Sequence, residues 1–213
     1  MQIPPRPPTV PSLADALRER TSALHSAAER SGILSDLIGR KAGAPAYALY
    51  LRNLLPAYET LAGRLLAYGS EPAIRLIAEG PVGQVPRLRR DIAALSGDAW
   101  ERSLPLVPAA AAYADRIAAC SASSWAALLA HSYARYLGDL NGDPILRHLL
   151  RRRGDAKRLA VEPRDRARAA AIAYRQAIDA AGRFVDDPAP VLAEAETAFR
   201  LTIAVSEAVR AEA

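Results

Sequence analysis

The sequence has little of what cross-links a protein or anchors it in a membrane. A single cysteine, Cys120, excludes an internal disulfide and suits a reducing cytoplasm. Every apolar run is broken by a charged residue well before about 18 residues, so no transmembrane helix is expected. The N-terminal segment MQIPPRPPTVP also lacks the apolar stretch of a secretory signal. We therefore predict a cytoplasmic protein with no membrane partner, in which Cys120 is buried filler.

Strand patterns are also missing from the sequence. Alternation with a period of two and runs of β-branched residues are absent, whereas alanine, leucine, arginine and glutamate dominate. The fold class predicted is therefore all-α, a single-domain helical bundle. Five prolines in the first eleven residues predict a disordered lead over 1–11, followed by one helical domain over 12–213.

Apolar periodicity and helix-capping signals divide the domain into helices. Ser12, with Asp15 three residues later, resembles a capping box and predicts the first helix start. The segment rich in glycine near residue 140 predicts an interruption of the longest helix. The predicted helices are 12–30, 45–68, 71–79, 86–96, 105–120, 123–153, 163–181 and 188–211.

Positive charge is concentrated in RHLLRRRGDAKR, residues 147–158, and the net charge of the chain is +5. Such a cluster suits nucleic acid, an acidic protein partner, an anionic ligand or simply a solvated helix end. No nucleic-acid motif accompanies it, and aromatic residues do not interleave with it. We therefore expect no nucleic-acid partner, and the other three interpretations stay open.

A histidine on the first helix has the surroundings of a metal ligand. His25 lies four residues before Glu29 and seven after Arg18, which places all three on nearly one helix face. Glu29 could accept a hydrogen bond from Nδ1–H of His25 and leave Nε2 free to bind a metal. A planar ligand with a central metal and carboxylates at its rim would match this spacing. An ordinary surface His–Glu pair is the alternative.

Two glycines one helical turn apart interrupt the segment HSYARYLGDLNGDP, residues 131–144. Gly138 and Gly142 each cost a helix interior about 1 kcal/mol relative to alanine. Asp139 and Asp143 repeat the same spacing on a neighbouring stripe. The bare backbone favours either close packing of another helix or contact with a flat ligand. The spacing alone does not decide between them.

Together these segments resemble the heme oxygenase family. HSYARYLGDLNGD is close to the distal-helix pattern H-x-Y-x-R-Y-L-G-D-L-S-G-G of that family, and residues 17–29 are similar to its proximal helix. The further segments that resemble the family are RDIAALSGDAWERSLPLVPAAAAY (90–113), AYRQAIDAAG (173–182) and AETAFRLTIAVSE (195–207).

The resemblance implies a role for each matching residue. It implies that His25 is the proximal ligand of the heme iron and that Glu29 supports it. It implies that Gly138 and Gly142 place distal backbone against the heme and that Asp139 orders the distal water. The residues implied at the heme propionates are Arg18, Tyr133 and Arg175, and those implied in the water network are Arg135, Tyr58 and Thr202.

The same resemblance implies an activity. It implies oxidative opening of heme b, which is both cofactor and substrate, to biliverdin with release of ferrous iron and carbon monoxide. The reaction would use O2 and electrons from a separate reductase or ferredoxin, for which Arg147–Arg158 is a candidate docking site. A non-catalytic heme-binding or heme-delivery protein is one alternative, and an interaction module built on the arginines is another. A monomer is expected.

Two positions depart from the family pattern. Asn141 stands where serine is common, and Asp143 stands where a second glycine is usual. We expect Asp143 to pair with Arg147 one turn away and to point outward. Pro144 should disturb the helix locally, because proline removes a hydrogen-bond donor.

Overall fold

The computed structural model describes residues 12–122, 124–152, 154, 159–160 and 162–213, and this part of the chain is helical. The predicted lead, 1–11, lies outside the described residues and stays a prediction. A π-helix, Tyr133–Leu137, joins two of the α-helices, Ala126–Ser132 and Gly138–Arg152. The α-helices are α1 (Leu13–Glu29), α2 (Gly32–Ile38), α3 (Ala44–Ala67), α4 (Pro72–Ile77), α5 (Glu79–Ser96), α6 (Trp100–Ser103), α7 (Pro108–Cys120), α8 (Ala126–Ser132), α9 (Gly138–Arg152), α10 (Arg164–Gly182) and α11 (Ala189–Glu212).

The long helices agree with the predicted ones, and the differences concern short segments. Ser12 caps α1, since its Oγ accepts the backbone N–H of Asp15 at 3.2 Å. Helix α5 begins at Glu79 instead of near residue 86, because Pro81 lies in its first turn, where a missing N–H breaks no helical hydrogen bond. The predictions omitted α2 and α6, whose 7 and 4 residues are too few to show a period.

The segment predicted as one long helix over 123–153 contains an irregular turn. The regular α-helical pattern gives way to a π-helix at Tyr133–Leu137, immediately before Gly138. Helix α9 then runs through Pro144 without a break. The interruption near the glycines is therefore confirmed. The disturbance expected at Pro144 is not found there, and the irregular turn lies about two to three turns before it. Such π-turns within α-helices occur often at functional sites.

Helix α3 forms the centre of the bundle. It is buried on most sides and packs against α5 and α7, while α11 packs against α1, α2, α7 and α8. The side chain of Asn53, fully buried in α3, accepts the N–H of Val107 at 2.8 Å and donates to the carbonyl of Pro105 at 3.1 Å. These bonds tie the segment before α7 to the core. No helix of the described residues is long and apolar enough to cross a membrane.

Two glycines allow α1 and α2 to lie directly on the C-terminal helices. A Cβ added to Gly32, whose φ is +50°, would lie 2.3 Å from the backbone of Ser206 in α11. A Cβ added to Gly182 at the end of α10 would lie 2.8 Å from Leu13. Both approaches require glycine. Gly32 thus brings α2 onto α11, and Gly182 brings the start of α1 onto α10.

Candidate functional site

An open cleft lies between α1 on one side and the π-helix and α9 on the other. It encloses about 900 Å³, counting space open to solvent, which is within the range of roughly 300–1,000 Å³ usual for ligand sites. A second cleft shares His25, Gly138 and Phe199 with it, so the two form one continuous groove. Most of the lining side chains are apolar, among them Ala28, Leu34, Ile38, Leu51, Leu54, Leu88, Ala134, Leu146 and Phe199.

The two glycines of α9 face this cleft with bare backbone. Gly138 and Gly142 both line it, and a Cβ added to either would meet no atom within 4 Å among the described residues. No other helix therefore packs closely on the glycines, and the packing interpretation of their spacing is wrong. The open patch has room for a flat ligand.

His25 faces the same cleft from α1. Its side chain is 49% exposed, and its ring lies 5.7 Å from that of Phe199. The distance from Nδ1 of His25 to Oε1 of Glu29 is 3.6 Å, which is longer than a hydrogen bond although within reach of an ion pair. The hydrogen bond predicted for this pair is therefore absent, while the nitrogen nearest Glu29 is the predicted one.

Two hydrogen-bond donors fix the carboxylate of Asp139. The hydroxyl of Tyr58, which is fully buried in α3, donates to Oδ2 of Asp139 at 2.5 Å. Nη2 of Arg135, one turn earlier, donates to Oδ1 at 2.9 Å. Nη1 of Arg135 also donates to Oγ1 of Thr202 on α11, at 3.0 Å. The structure thus brings together the four residues that the resemblance implied for the water network.

Burial governs the protonation of this group. Burial raises the pKa of Asp139, and the Arg135 guanidinium and the Tyr58 hydrogen bond lower it in partial compensation. Burial and the neighbouring carboxylate both raise the pKa of Tyr58, so its hydroxyl stays protonated and remains a donor. Asp139 therefore combines a fixed orientation with an increased affinity for a proton, and it lines the cleft beside Gly138.

The three residues implied at the propionates lie together at the rim. Arg18, Tyr133 and Arg175 all line the second cleft. Asp15 lies beside both arginines, with its Oδ1 paired to Nη2 of Arg175 and 3.8 Å from Nη2 of Arg18. The hydrogen bond from Ser12 and the two positive charges lower the pKa of Asp15, so it is ionised at neutral pH. A ligand carboxylate at this rim would meet two cations that now share one anion.

The orientation predicted for Asp143 is wrong. Asp143 does pair with Arg147, at 2.5 Å from Oδ2 to Nε, but Arg147 is 1% exposed and both residues point inward. Asp143 also accepts the hydroxyl of Tyr47 and, at 2.8 Å, Nη2 of Arg87. Arg147 reaches Asp91 as well. The pair faces inward because α3 and α5 supply partners for both charges.

Sequence reasoning missed Tyr47, Arg87 and Asp91, which complete this network. The four-residue spacing from Arg87 to Asp91 was the one available signal, and it indicates a pair within α5. Nothing in the spacing indicates that α5 would face α9 at this point.

The arginine cluster of 147–158 is divided by the fold. Arg147 is buried and paired, so it cannot belong to a docking surface. Arg151 and Arg152 at the end of α9 are exposed. Arg153 and residues 155–158 lie outside the described residues. Among the described residues of the cluster, Arg151 and Arg152 are the arginines available to an acidic partner.

The family model for heme oxygenases matches residues 11–208 of the chain. The chain belongs to the heme oxygenase family. It is 30% identical over 138 residues to heme oxygenase 1 of Nostoc sp. (65% of this chain, 58% of the relative), and 26% identical over 147 residues to human heme oxygenase 1 (68% and 51%). The matches thus span between half and three fifths of these relatives.

Solved structures of the heme oxygenase family share the whole fold. Heme oxygenase-1 of the cyanobacterium Synechocystis, crystallised in complex with heme, superposes with a TM-score of 0.77 at 25% identity and covers 95% of this chain and 94% of its own. The heme oxygenase of Leptospira interrogans gives a TM-score of 0.78 at 25% identity, with 92% and 99% covered. The all-α bundle predicted from the sequence is therefore confirmed.

Proposed function

We propose that this protein is a heme oxygenase that opens heme to biliverdin and releases ferrous iron and carbon monoxide. The observation that carries the proposal is the open backbone of Gly138 and Gly142 across the cleft from His25, with the fixed carboxylate of Asp139 beside it. A heme fits the donor set, because the cleft combines an imidazole, apolar walls and cations at one rim. O2 and electrons from a separate reductase or ferredoxin complete the reaction.

Each side of the groove has its own part in holding the substrate. His25 would bind the heme iron through Nε2, and Glu29 would orient the ring through Nδ1. Arg18, Tyr133 and Arg175 would receive the propionates, since carboxylates are bound well by guanidinium and hydroxyl donors. The propionates would then replace Asp15 in part of its pairing with Arg18 and Arg175.

The bound heme supplies the chemistry of O2 activation, and the chain directs it. An imidazole ligand from His25 would not promote cleavage of the O–O bond as a thiolate ligand does. The bare backbone of Gly138 and Gly142 would leave space over the bound heme, so that no side chain would block access to the edge of the ring. Asp139 is too firmly held by Tyr58 and Arg135 to act as a ligand, and it has lone pairs left to orient a water that carries a proton.

The alternative of heme binding without turnover drew on Asp143 and Pro144. Asp143 accepts hydrogen bonds from Tyr47, Arg87 and Arg147, which occupy its carboxylate. Pro144 lies within a continuous α9. Neither residue therefore disrupts the groove beside Asp139, and the catalytic function is better supported.

Spectroscopy of the protein with hemin tests the proposal. Hemin added to the purified protein should give the Soret band of a histidine-bound heme. A reductant in air should then bleach that band and yield the red absorbance of biliverdin, with carbon monoxide released. His25→Ala should abolish the histidine-type spectrum. Asp139→Asn tests turnover, because asparagine has nearly the same size as aspartate and lacks its charge. A stable Soret band in the wild type under reductant would overturn the proposed reaction.

We also propose that Arg151 and Arg152 receive the electron donor. Both are exposed at the C-terminal end of α9, the helix that carries the glycines, and an acidic donor would be attracted to them at low salt. Charge reversal at both positions should slow reduction by an acidic ferredoxin and leave reduction by dithionite unchanged. Equal rates with ferredoxin at low salt would refute this docking site.

A further inference from the structure

A second cluster of metal-binding side chains lies away from the heme cleft. Cys120 ends α7, His131 lies in α8 and Glu194 lies in α11, and their ligand atoms are all within 4.8 Å of one another. None of the three lines the cleft described above. The proposed reaction with heme uses none of them.

The distances in the cluster suit one small cation. Sγ of Cys120 is 3.4 Å from Nε2 of His131, which is 3.0 Å from Oε1 of Glu194. Bonds of about 2.3 Å to sulfur and about 2.0–2.2 Å to nitrogen and oxygen place tetrahedral Zn²⁺ ligands about 3.4–3.6 Å apart. The two distances from Nε2 are therefore within a few tenths of an ångström of those values, and the third pair, Sγ of Cys120 and Oε1 of Glu194, lies within 4.8 Å.

The chemistry of the donors selects the type of metal. A thiolate, an imidazole and a carboxylate together are typical of Zn²⁺ and disfavour the harder cations Mg²⁺ and Ca²⁺. Nδ1 of His131 is buried and makes no hydrogen bond within the described residues. No other group therefore holds the ring in its present tautomer at Nδ1, and the proton can move there when Nε2 binds a metal.

The cluster is also accessible from one side. His131 and Glu194 are buried, whereas Cys120 is half-buried and Arg116, which pairs with Glu194, is 45% exposed. The cluster thus has a buried side and a side near solvent, where a water can complete the coordination. Arg116 pairs with both oxygens of Glu194, through Nη2 with Oε2 and through Nε with Oε1 at 3.0 Å. The ion would replace the Nε contact at Oε1 and leave the pairing at Oε2.

We propose that Cys120, His131 and Glu194 form a binding site for Zn²⁺ or a similar divalent transition-metal ion, with water as the fourth ligand. Binding releases the thiol proton of Cys120 to solvent, and no electron is transferred. Burial and Glu194 raise the pKa of the Cys120 thiol to about 11, so metal affinity should increase with pH across the neutral range. The ion would join α7, α8 and α11, and α8 leads directly into the π-helix that carries Tyr133 and Arg135.

Cobalt(II) gives a direct test, because Cys120 is the one cysteine of the chain. A thiolate-to-cobalt charge-transfer band can arise only from this residue. We expect the heme-free protein to develop that band and intense tetrahedral d–d bands at one equivalent of Co²⁺, and Zn²⁺ to displace both. Cys120→Ala should lose the bands. The double variant His25→Ala, His148→Ala should keep them, since it removes the two other histidines and leaves the cluster intact.

Thermal unfolding provides a second readout. Zn²⁺ at about 100 times its Kd should raise the Tm of the wild type by several degrees, because the ion binds the folded state. The Tm of Cys120→Ala should not respond to Zn²⁺. Absence of the charge-transfer band, or an equal response of Tm in Cys120→Ala, would overturn the proposal. Loss of heme turnover with these bands retained would contradict only the proposed function, because the two sites share no residue.

Discussion

Asp139 and Asp143 lie one turn apart on α9 and are held by similar sets of side chains. Each accepts a hydrogen bond from a tyrosine of α3, Tyr58 for Asp139 and Tyr47 for Asp143. Each also pairs with an arginine four residues away, which precedes Asp139 and follows Asp143. The two tyrosines are 11 residues apart, or about three turns, so one face of α3 supplies both.

The difference between the two carboxylates lies in the number of cations. Asp143 has a second arginine, Arg87, and its partner Arg147 is bound to a further carboxylate, Asp91. Within the part of the chain that the structure describes, Arg135 is the one cation that pairs with Asp139. The side chain of Asp139 is 19% exposed, compared with 11% for Asp143. Three donors therefore engage the carboxylate of Asp143, and this network anchors α9 to α3 and α5. Two donors engage the carboxylate of Asp139, so more of its hydrogen-bonding capacity remains open.

The largest effect on stability is expected from removing Arg147, which pairs with both Asp91 and Asp143. Arg147→Ala would leave Asp91 and Asp143 buried without their main cation, and removal of one partner of a buried ion pair costs about 3–5 kcal/mol. Urea denaturation should detect this loss in the free energy of unfolding. Arg151→Ala, at an exposed position of the same helix, should change stability by less than about 0.5 kcal/mol. A loss below about 1 kcal/mol for Arg147→Ala would contradict the assignment of this network as an anchor.

The next largest effect separates the two aspartates by function. Asp139→Ala should slow heme degradation at least about 100-fold, because general acid–base assistance contributes about 10²- to 10⁴-fold. Asp143→Ala should cost more stability and less rate, because it removes part of the anchor. Decay of the Soret band under one reductant gives the rates, and hemin titration gives the Kd. Equal losses of rate in the two variants would contradict the assignment of Asp139 to the reaction and of Asp143 to stability.

The third prediction compares the pH dependence of stability at Glu194 with that at Asp139. Burial raises the pKa of Glu194, but His131 and Arg116 outweigh burial and lower it to about 2, from an ordinary value of 4.5. A lowered pKa contributes stability that is present above pH 4.5 and lost as pH falls toward 2. We expect this contribution to be on the order of 2 kcal/mol.

Unfolding measured from pH 6 down to pH 3 should show the effect. Glu194→Gln should flatten the fall in stability over this range. Asp139→Asn should not flatten it, because the pKa of Asp139 is raised and its ionisation does not favour the folded state. If the free energy of unfolding of Glu194→Gln fell with pH as steeply as that of the wild type, the cations would not dominate the pKa of Glu194.

The smallest effect concerns the bare backbone itself. Gly142→Ala has room for its methyl group, so it should stabilise the heme-free protein by about 0.5–1 kcal/mol through helix propensity. Gly63→Ala is the matched control, since Gly63 is exposed within α3 and a Cβ there would also meet nothing. Only Gly142→Ala should weaken hemin binding, by about tenfold or 1.4 kcal/mol. Equal hemin affinity in both variants would mean that no ligand contacts this backbone.

Much of the groove could be predicted from the sequence because its signals are local. The glycine spacing is visible along one helix, and so is the common face of His25 and Glu29. Propensity and capping placed α1 within a residue, since Ser12 and Asp15 act on the turn that they begin. The hydrogen bond predicted between His25 and Glu29 failed, because side-chain rotamers at a half-exposed site are not set by spacing.

The sequence by itself determined the all-α class, the main helices and the bare patch on α9, because helix periodicity and glycine act within a few residues. The tertiary structure alone decided that Asp143 and Arg147 turn inward, and that Cys120 meets His131 and Glu194. These contacts join residues as far apart as Tyr47 and Asp143, 96 positions along the chain. A charged side chain forms a buried ion pair or a binding site only where a neighbouring helix supplies its partner. The packing of whole helix faces decides which helices are neighbours.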